Sequence, residues 1–442
     1  MEQSRRGIGW TRLSVALGAL CGTALALASC GGRPAPAPKA GTPAGATASQ
    51  PAAPANASMA AAAAPAGPAA SSPGAKKRDF LTQEARGLYV TSWIAGMKRF
   101  DELADLVDAS ELNTLVIDVK DCTGKVGYKS RVPLVDEIGA YERRIRRIDE
   151  VLAKCRERKI YTIARIAVFE DPQLAKAKPE LAIKSKDGGI WKDHKGLSWV
   201  DPSSREVWEY NVSLAKEAAE LGFDEVQFDY VRFPTDGKLK SLSYPVYAGD
   251  VPKSEVIRSF FEYLDRELKP IDVLVSADIF GLTMVVEDDL NIGQKLEDLA
   301  DYVDFLCPMI YPSHFPTGHL GLKNPAEHPY RVIYDSCMRG LQRIEGRRAK
   351  LRPWLQDFKI GAPYGTEEIL TQIQAARDAG VFGFCMWNAR NVYTAEAYRR
   401  KFPERNPRPP LYESMKAELE RRRQAKLAAT QVKQLKGTGG KG

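Results

Sequence analysis

Eight strand-like runs alternate with helical segments between residues 86 and 403, and that alternation leaves the chain few architectures. The runs are 87–93, 114–121, 160–169 and 225–233 in the first half, then 273–281, 303–311, 353–358 and 382–389. They are rich in Val, Ile, Phe and Tyr, as strands are. Helical patterns fill the gaps at 99–110, 145–158, 204–221, 254–268, 292–300, 329–346 and 366–379. Several have a Ser, Thr or Asn near the start and a Gly or Asn just past the end. Gly222 closes the fourth strand's preceding helix, where the left-handed conformation of a C′ residue favours glycine. Strand cores that are apolar almost throughout belong to a parallel sheet covered by helices. Eight units in about 320 residues is the size of a closed barrel. The expected fold is therefore α/β, a single (β/α)8 TIM barrel. A doubly wound open sheet is the alternative, but no glycine-rich phosphate loop follows the first strand.

The ends differ in composition from the middle. Residues 1–29 read as a lipoprotein signal peptide, with Arg5, Arg6 and Arg12 before an apolar stretch over 13–28. That stretch is too short and too rich in Ala and Gly for a stable membrane span. It ends in Leu27-Ala28-Ser29-Cys30, which resembles a bacterial lipobox and implies cleavage before Cys30 and lipidation of its thiol. An ordinary secretory leader is the alternative. Gly31 and Gly32 follow without an Asp, which fits outer-membrane sorting in a Gram-negative cell. Residues 30–80 are Ala- and Pro-rich and cannot bury a core, so a disordered tether is expected. The barrel should occupy 81–405. Residues 406–442 should form a basic tail, helical over 411–436 and then decaying into Gly and Lys.

Charge and cysteine content exclude some functions. The chain carries a formal +8. The tail from Glu413 onward holds eight Lys or Arg against three Glu, and the leader adds a smaller surplus. The barrel is left nearly neutral, with no basic stripe for a phosphate backbone. No nucleic-acid partner is expected. Cys122, Cys155, Cys307, Cys337 and Cys385 form no CxxC or His/Cys cluster, so neither a structural zinc site nor any other metal or cofactor is expected.

In a TIM barrel, polar residues at the C-terminal ends of strands read as active site. Here each of the eight strands offers one or more polar or aromatic residues there. They are Trp93; Asp118, Lys120 and Asp121; Arg165; Gln227, Asp229 and Arg232; Asp278; Tyr311; Gln356; and Trp387 with Asn388. Period-two alternation puts Gln227, Asp229 and Val231 on one face of the fourth strand, with Tyr230 on the other. It also puts Asp118 and Lys120 on a shared face. An aspartate among apolar neighbours in a strand is costly to bury unpaired. For Asp229 the structural alternative is an ion pair with Arg232; for Asp278, a pair with Lys120 or Arg165; for Asp118, a pair with Lys120. His194, His314, His319 and His328 fall in loops and read as ordinary loop residues.

Two carboxylates beside aromatic planes suit glycoside hydrolysis, in which one acid protonates the leaving oxygen and the other attacks carbon or activates water. Asp229 and Asp278 are the candidate pair, and the other strand-end residues are candidate sugar contacts. A metal-assisted hydrolase using Asp118, Asp121 and Asp229 is a further reading of the same acids.

The segments EVQFDYVRFP, WVDPSSREVWEY, VSADIFG and DFLCPMIYPSHF resemble a glycoside hydrolase-like family of bacterial (β/α)8 barrel proteins, over roughly residues 85–402. That family is distantly similar to alpha-amylase-type barrels. The resemblance implies that Asp229 is the nucleophile on strand 4. It places the acid/base at the end of strand 5, where those enzymes have a glutamate and this chain has Asp278. Where they have an arginine two residues before the nucleophile, this chain has Gln227, and its arginine is Arg232. The expectation is an exported lipoprotein anchored through Cys30, hydrolysing an extracytoplasmic polysaccharide by a two-carboxylate mechanism. A non-catalytic carbohydrate-binding barrel in envelope or exopolysaccharide assembly is the alternative.

Overall fold

The computed structural model describes residues 84–271 and 273–438. The expected signal peptide, Cys30 and the tether over 30–80 lie outside these residues.

Eight parallel strands close on themselves: β1 (Arg86–Val90), β2 (Thr114–Lys120), β3 (Tyr161–Ala167), β4 (Glu225–Asp229), β5 (Leu274–Phe280), β6 (Phe305–Met309), β7 (Trp354–Gln356) and β8 (Phe384–Trp387). Neighbours in sequence are neighbours in the sheet, and β8 pairs back onto β1. The outer layer comprises α1 (Arg99–Asp108), α2 (Ile148–Glu157), α3 (Arg205–Leu221), α4 (Lys253–Leu268), α5 (Leu296–Leu299), α6 (Pro329–Arg343) and α7 (Thr366–Ala379). The TIM barrel expected from the alternation is what the chain forms. Every residue of β2 and β3 is buried, because helices cover one face and the barrel interior the other. Gly222 caps α3 at φ 96°, the left-handed value a side chain would resist.

Three local departures from regular strands decide which side chains reach the top of the barrel. First, β1 stops at Val90, and Trp93 lies on a short helical turn, Ser92–Ala95, capped by Thr91. Second, a bulge between Asp118 and Lys120 shifts the β2–β3 register, so that Asp118 pairs Arg165 but Lys120 pairs Ile166. Asp118 and Lys120 therefore do not share a face, contrary to simple alternation. Third, β4 ends at Asp229 rather than at 233, because Tyr230 takes φ 54°. The alternation expected over 225–233 fails there. A non-glycine residue in that region costs roughly 1–2 kcal/mol, strain that concentrates at functional sites.

The barrel interior is layered. Near its base, Glu225 of β4 and Arg352 form an ion pair sealed from solvent. Tyr161 Oη donates to Glu225 Oε2 at 3.0 Å, Ser276 donates to the same carboxylate, and Arg352 lies over the Phe305 ring at 4.3 Å. Above this, Gln227 Nε2 meets Cys307 Sγ at 3.3 Å. All five described cysteines are buried thiols. The tail helix α8 (Tyr412–Thr438) docks by its first turns, with Met415 and Leu419 buried and Glu418 on Arg339 at 2.9 Å. Among the described residues no helix is long and apolar enough to cross a membrane.

Removing one partner of a sealed ion pair strands the other charge, at a cost of about 3–5 kcal/mol. Arg352→Met should show that loss in urea unfolding, and the double variant Glu225→Gln/Arg352→Met should recover most of it. A single variant within about 1 kcal/mol of wild type would contradict the layered account.

Candidate active site

The top layer is organised by Arg165 of β3. Its guanidinium meets three carboxylates from three strands: Asp118 Oδ1 at 2.6 Å, Asp278 Oδ2 at 3.3 Å, and Asp229 Oδ2. All four side chains are nearly sealed from solvent. Each carboxylate has a second donor. Tyr89 Oη donates to Asp118, Trp354 Nε1 to Asp278 Oδ1 at 2.6 Å, and the Tyr230 backbone N–H to Asp229 Oδ1 at 2.6 Å. The last of these bonds depends on the kink that ends β4.

Three acids share one guanidinium, so full ionisation would leave a buried excess of negative charge. Burial, reinforced by the Asp229 charge, holds the Asp278 carboxyl well above the usual aspartate range. Burial also raises Asp118, although Arg165 and the Tyr89 hydroxyl oppose the rise. Tyr89 itself is pushed well up by burial and the neighbouring Asp118, so it remains a donor. Burial disfavours the Arg165 cation, but Asp229 and Asp118 more than offset this, and its pKa lies well above the ordinary value.

A cleft opens over this layer. Arg165, Asp229, Arg232, Tyr311 and His314 supply its polar wall; Tyr230, Phe280, Met309, Phe358 and Trp387 supply the rest. Trp387 stacks on Tyr89 at 3.9 Å between centroids and lies 5.0 Å from the Arg165 carbon. The enclosed volume is about 30 Å³. That holds a water or two, so a sugar ring has to sit at the mouth or displace side chains. Asp278 does not line this cleft. It lies beneath, 1% exposed, against Arg165 and Trp354.

The structure thus brings together Asp118, Arg165, Asp229, Arg232, Asp278, Tyr311 and Trp387. It separates the others. Lys120 points outward to Asp171 at 2.7 Å, Asn211 at 3.0 Å and the Ala167 carbonyl at 2.6 Å, with no exposed surface. Gln227 lies below the site, fully buried. Gln356 accepts from Ser313 Oγ at 2.8 Å and Asn388 holds the loop after β8 through the Val392 carbonyl at 2.7 Å. Asp121 pairs with Arg144, whose guanidinium lies 5.0 Å over the Trp93 ring. Trp93, 38% exposed, therefore marks a separate rim patch. Neither pairing with Arg232 nor pairing with Lys120 occurs: Asp229, Asp278 and Asp118 all turn to Arg165. The acids Asp118, Asp121 and Asp229 do not converge, since Asp121 faces Arg144.

Sequence reasoning missed His314, Tyr89 and Trp354. His314 lines the cleft, accepts or donates at Ser313 Oγ at 2.9 Å, and packs against Tyr311 and Phe358. Burial lowers its pKa to about 4, so it is a neutral imidazole near pH 7. Its position in the motif DFLCPMIYPSHF was the available signal.

Replacing Arg165 by Gln should unpair all three carboxyls. The folded-state pKa values of Asp118 and Asp278 would then rise further above the unfolded ones. Stability is gained from such groups at low pH and lost as pH rises through the folded values. The destabilisation by Arg165→Gln should therefore be larger at pH 8 than at pH 5 in urea unfolding. A pH-independent difference would show that Arg165 does not govern these acids.

The family model described as "Putative glycosyl hydrolase domain" matches residues 87–393. No curated protein matches the chain. Among solved structures, a hypothetical protein from Ruminiclostridium thermocellum ATCC 27405 is 40% identical, over 46% of this chain and 98% of its own, with a TM-score of 0.40. The PgaB (BpsB) glycoside hydrolase domain from Bordetella bronchiseptica is 15% identical, over 73% of this chain and 100% of its own, with a TM-score of 0.53. The second likeness is one of fold. The family match runs from β1 past the end of β8, and the chain belongs to this glycosyl hydrolase domain family.

Proposed function

We propose that the barrel hydrolyses a polysaccharide outside the cytoplasm, with Asp229 as nucleophile or base and Asp278 as general acid. One observation carries the reading. Adjacent strands β4 and β5 present two carboxyls to one guanidinium, and the environment of one of them favours the protonated form. A carboxyl whose surroundings favour its protonated form, beside a second carboxyl, is what glycosyl transfer to water needs. Asp229 lines the cleft, so its carboxylate can meet an anomeric carbon. Asp278 can deliver its proton only once Arg165 shifts toward Asp118, because the guanidinium lies between the two acids. Trp387 and Phe280 offer flat faces to a sugar ring. The export route inferred from the leader would put the barrel on the outer side of a membrane, held by Cys30.

A second reading has a specific observation behind it. Asp278 is sealed beneath Arg165, and strand β5 carries no glutamate at its end, as expected of a barrel that keeps a sugar cleft without turnover.

The full-length protein, tested on bacterial and plant polysaccharides beside Asp229→Asn and Asp278→Asn, separates the two. Hydrolysis should fall by at least ~10³-fold in Asp229→Asn. Asp278→Asn should lose activity on polymers while retaining part of it on aryl glycosides, whose leaving groups need little protonation. Binding of the same polymers by all three proteins without release of sugar would establish the non-catalytic reading. In the active case the wild-type rate should fall on the alkaline side as Asp278 loses its proton, at a pH above the ordinary aspartate range, because burial and Asp229 raise it. An alkaline limb within the ordinary range would assign the acid to another group.

A further inference from the structure

Arg232 is a buried cation that the two-carboxylate chemistry does not use. It follows the kink at Tyr230, and it lines the cleft beside Asp229 while being only 4% exposed. Its guanidinium carbon lies 4.7 Å from the ring centres of both Trp199 and Phe280 and 5.5 Å from that of Tyr230. Trp199 is carried by the loop after β3, which the paired residues Lys184–Ser185 and Leu242–Ser243 tie to the loop after β4. One terminal nitrogen donates to the Phe233 carbonyl and to Thr235 Oγ1, both at 3.2 Å. That fixes the orientation of the fork. The nitrogen Nε and the other terminal nitrogen have no acceptor among the described residues. No carboxylate there forms an ion pair with Arg232, and the nearest acid in the cleft wall, Asp229, is committed to Arg165 and the Tyr230 N–H.

A guanidinium withdrawn from water without a counter-ion is costly, and faces of aromatic rings compensate only in part. Arrangements of this kind are found where the counter-ion arrives with a ligand. The open donors lie in the plane of the guanidinium, and a carboxylate meets two such N–H groups in that plane by a bidentate pair. Arg232 lines the cleft, so a ligand seated there can reach these donors.

We infer that the cleft selects an acidic sugar, whose carboxylate is bound by the free edge of Arg232 beside Asp229. The inference rests on the proposal that this cleft is a sugar site and names the class of sugar. Arg232 in this role is a binding residue; it takes no part in proton or glycosyl transfer.

The test is a binding comparison on the full-length wild-type protein by calorimetry or ligand-observed NMR. The probes are three matched pairs: glucuronate and glucose, galacturonate and galactose, mannuronate and mannose. The acid member of at least one pair should bind about tenfold or more tightly than its neutral partner. Arg232→Gln should bring that ratio close to one. Arg232→Lys should keep part of the preference, because it retains the charge without the fork. Thermal melts of each variant check folding, and the wild-type comparison stands even if a variant does not fold. Equal binding within every pair, binding of none, or a preference that survives Arg232→Gln would overturn the inference. The two proposals fail separately. An Arg232-dependent acid preference with no polymer cleaved would remove the hydrolase and leave this site. Asp229-dependent cleavage of a neutral polymer with no acid preference would do the reverse.

Discussion

The guanidinium of Arg165 is the contact on which the upper half of the barrel depends. Three strands deliver aspartates to the same few ångströms, and without a shared cation their charges could not be buried together. One cation against three acids is an uneven balance, and burial raises the pKa of both Asp278 and Asp118, with the Asp229 charge adding to the rise at Asp278. The same feature that permits the cluster therefore prepares an acid within it. It also sets a condition on turnover. Arg165 holds Asp229 and Asp278 in register, so in the proposed mechanism substrate entry would be coupled to displacement of its guanidinium. Asp118 and Tyr89 offer the place for the guanidinium to go, because Asp118 already holds one of its nitrogens.

Below this layer the barrel repeats the device in a purely structural form. Glu225 and Arg352 are sealed one against one, with Tyr161 and Ser276 also donating to the Glu225 carboxylate. The difference between the two layers is access and stoichiometry rather than residue type. The upper layer has a surplus of acids and a cleft above it; the lower has neither.

The barrel was legible because its signals are periodic and repeated eight times. Helix boundaries such as Gly222 follow from local stereochemistry and were placed correctly. Much of what the sequence did not show lies where a strand departs from regularity. The bulge between Asp118 and Lys120 turns Lys120 out to Asp171, and period-two counting has no means of detecting an inserted residue. The left-handed Tyr230 ends β4 early and brings the residues after Asp229 into the cleft, although tyrosine carries no propensity for that conformation. The choice of Arg165 as common partner depends on three strands at once, so neither Arg232 nor Lys120 could be rejected beforehand. His314 was set aside because loop position alone says nothing about which way a loop folds back.

The measurement that bears most directly on the central claim is a carbon-13 titration of the aspartate side-chain carboxyls, assigned with the Asp118→Asn, Asp229→Asn and Asp278→Asn variants. An acid prepared for proton delivery requires that Asp278 keep its proton through the range in which ordinary aspartates lose theirs, and that removing the Asp229 charge bring its titration down. Asp278 titrating alongside the surface aspartates, unmoved by Asp229→Asn, would contradict the account: the cluster would then be a structural ion network with no acid and base set apart within it.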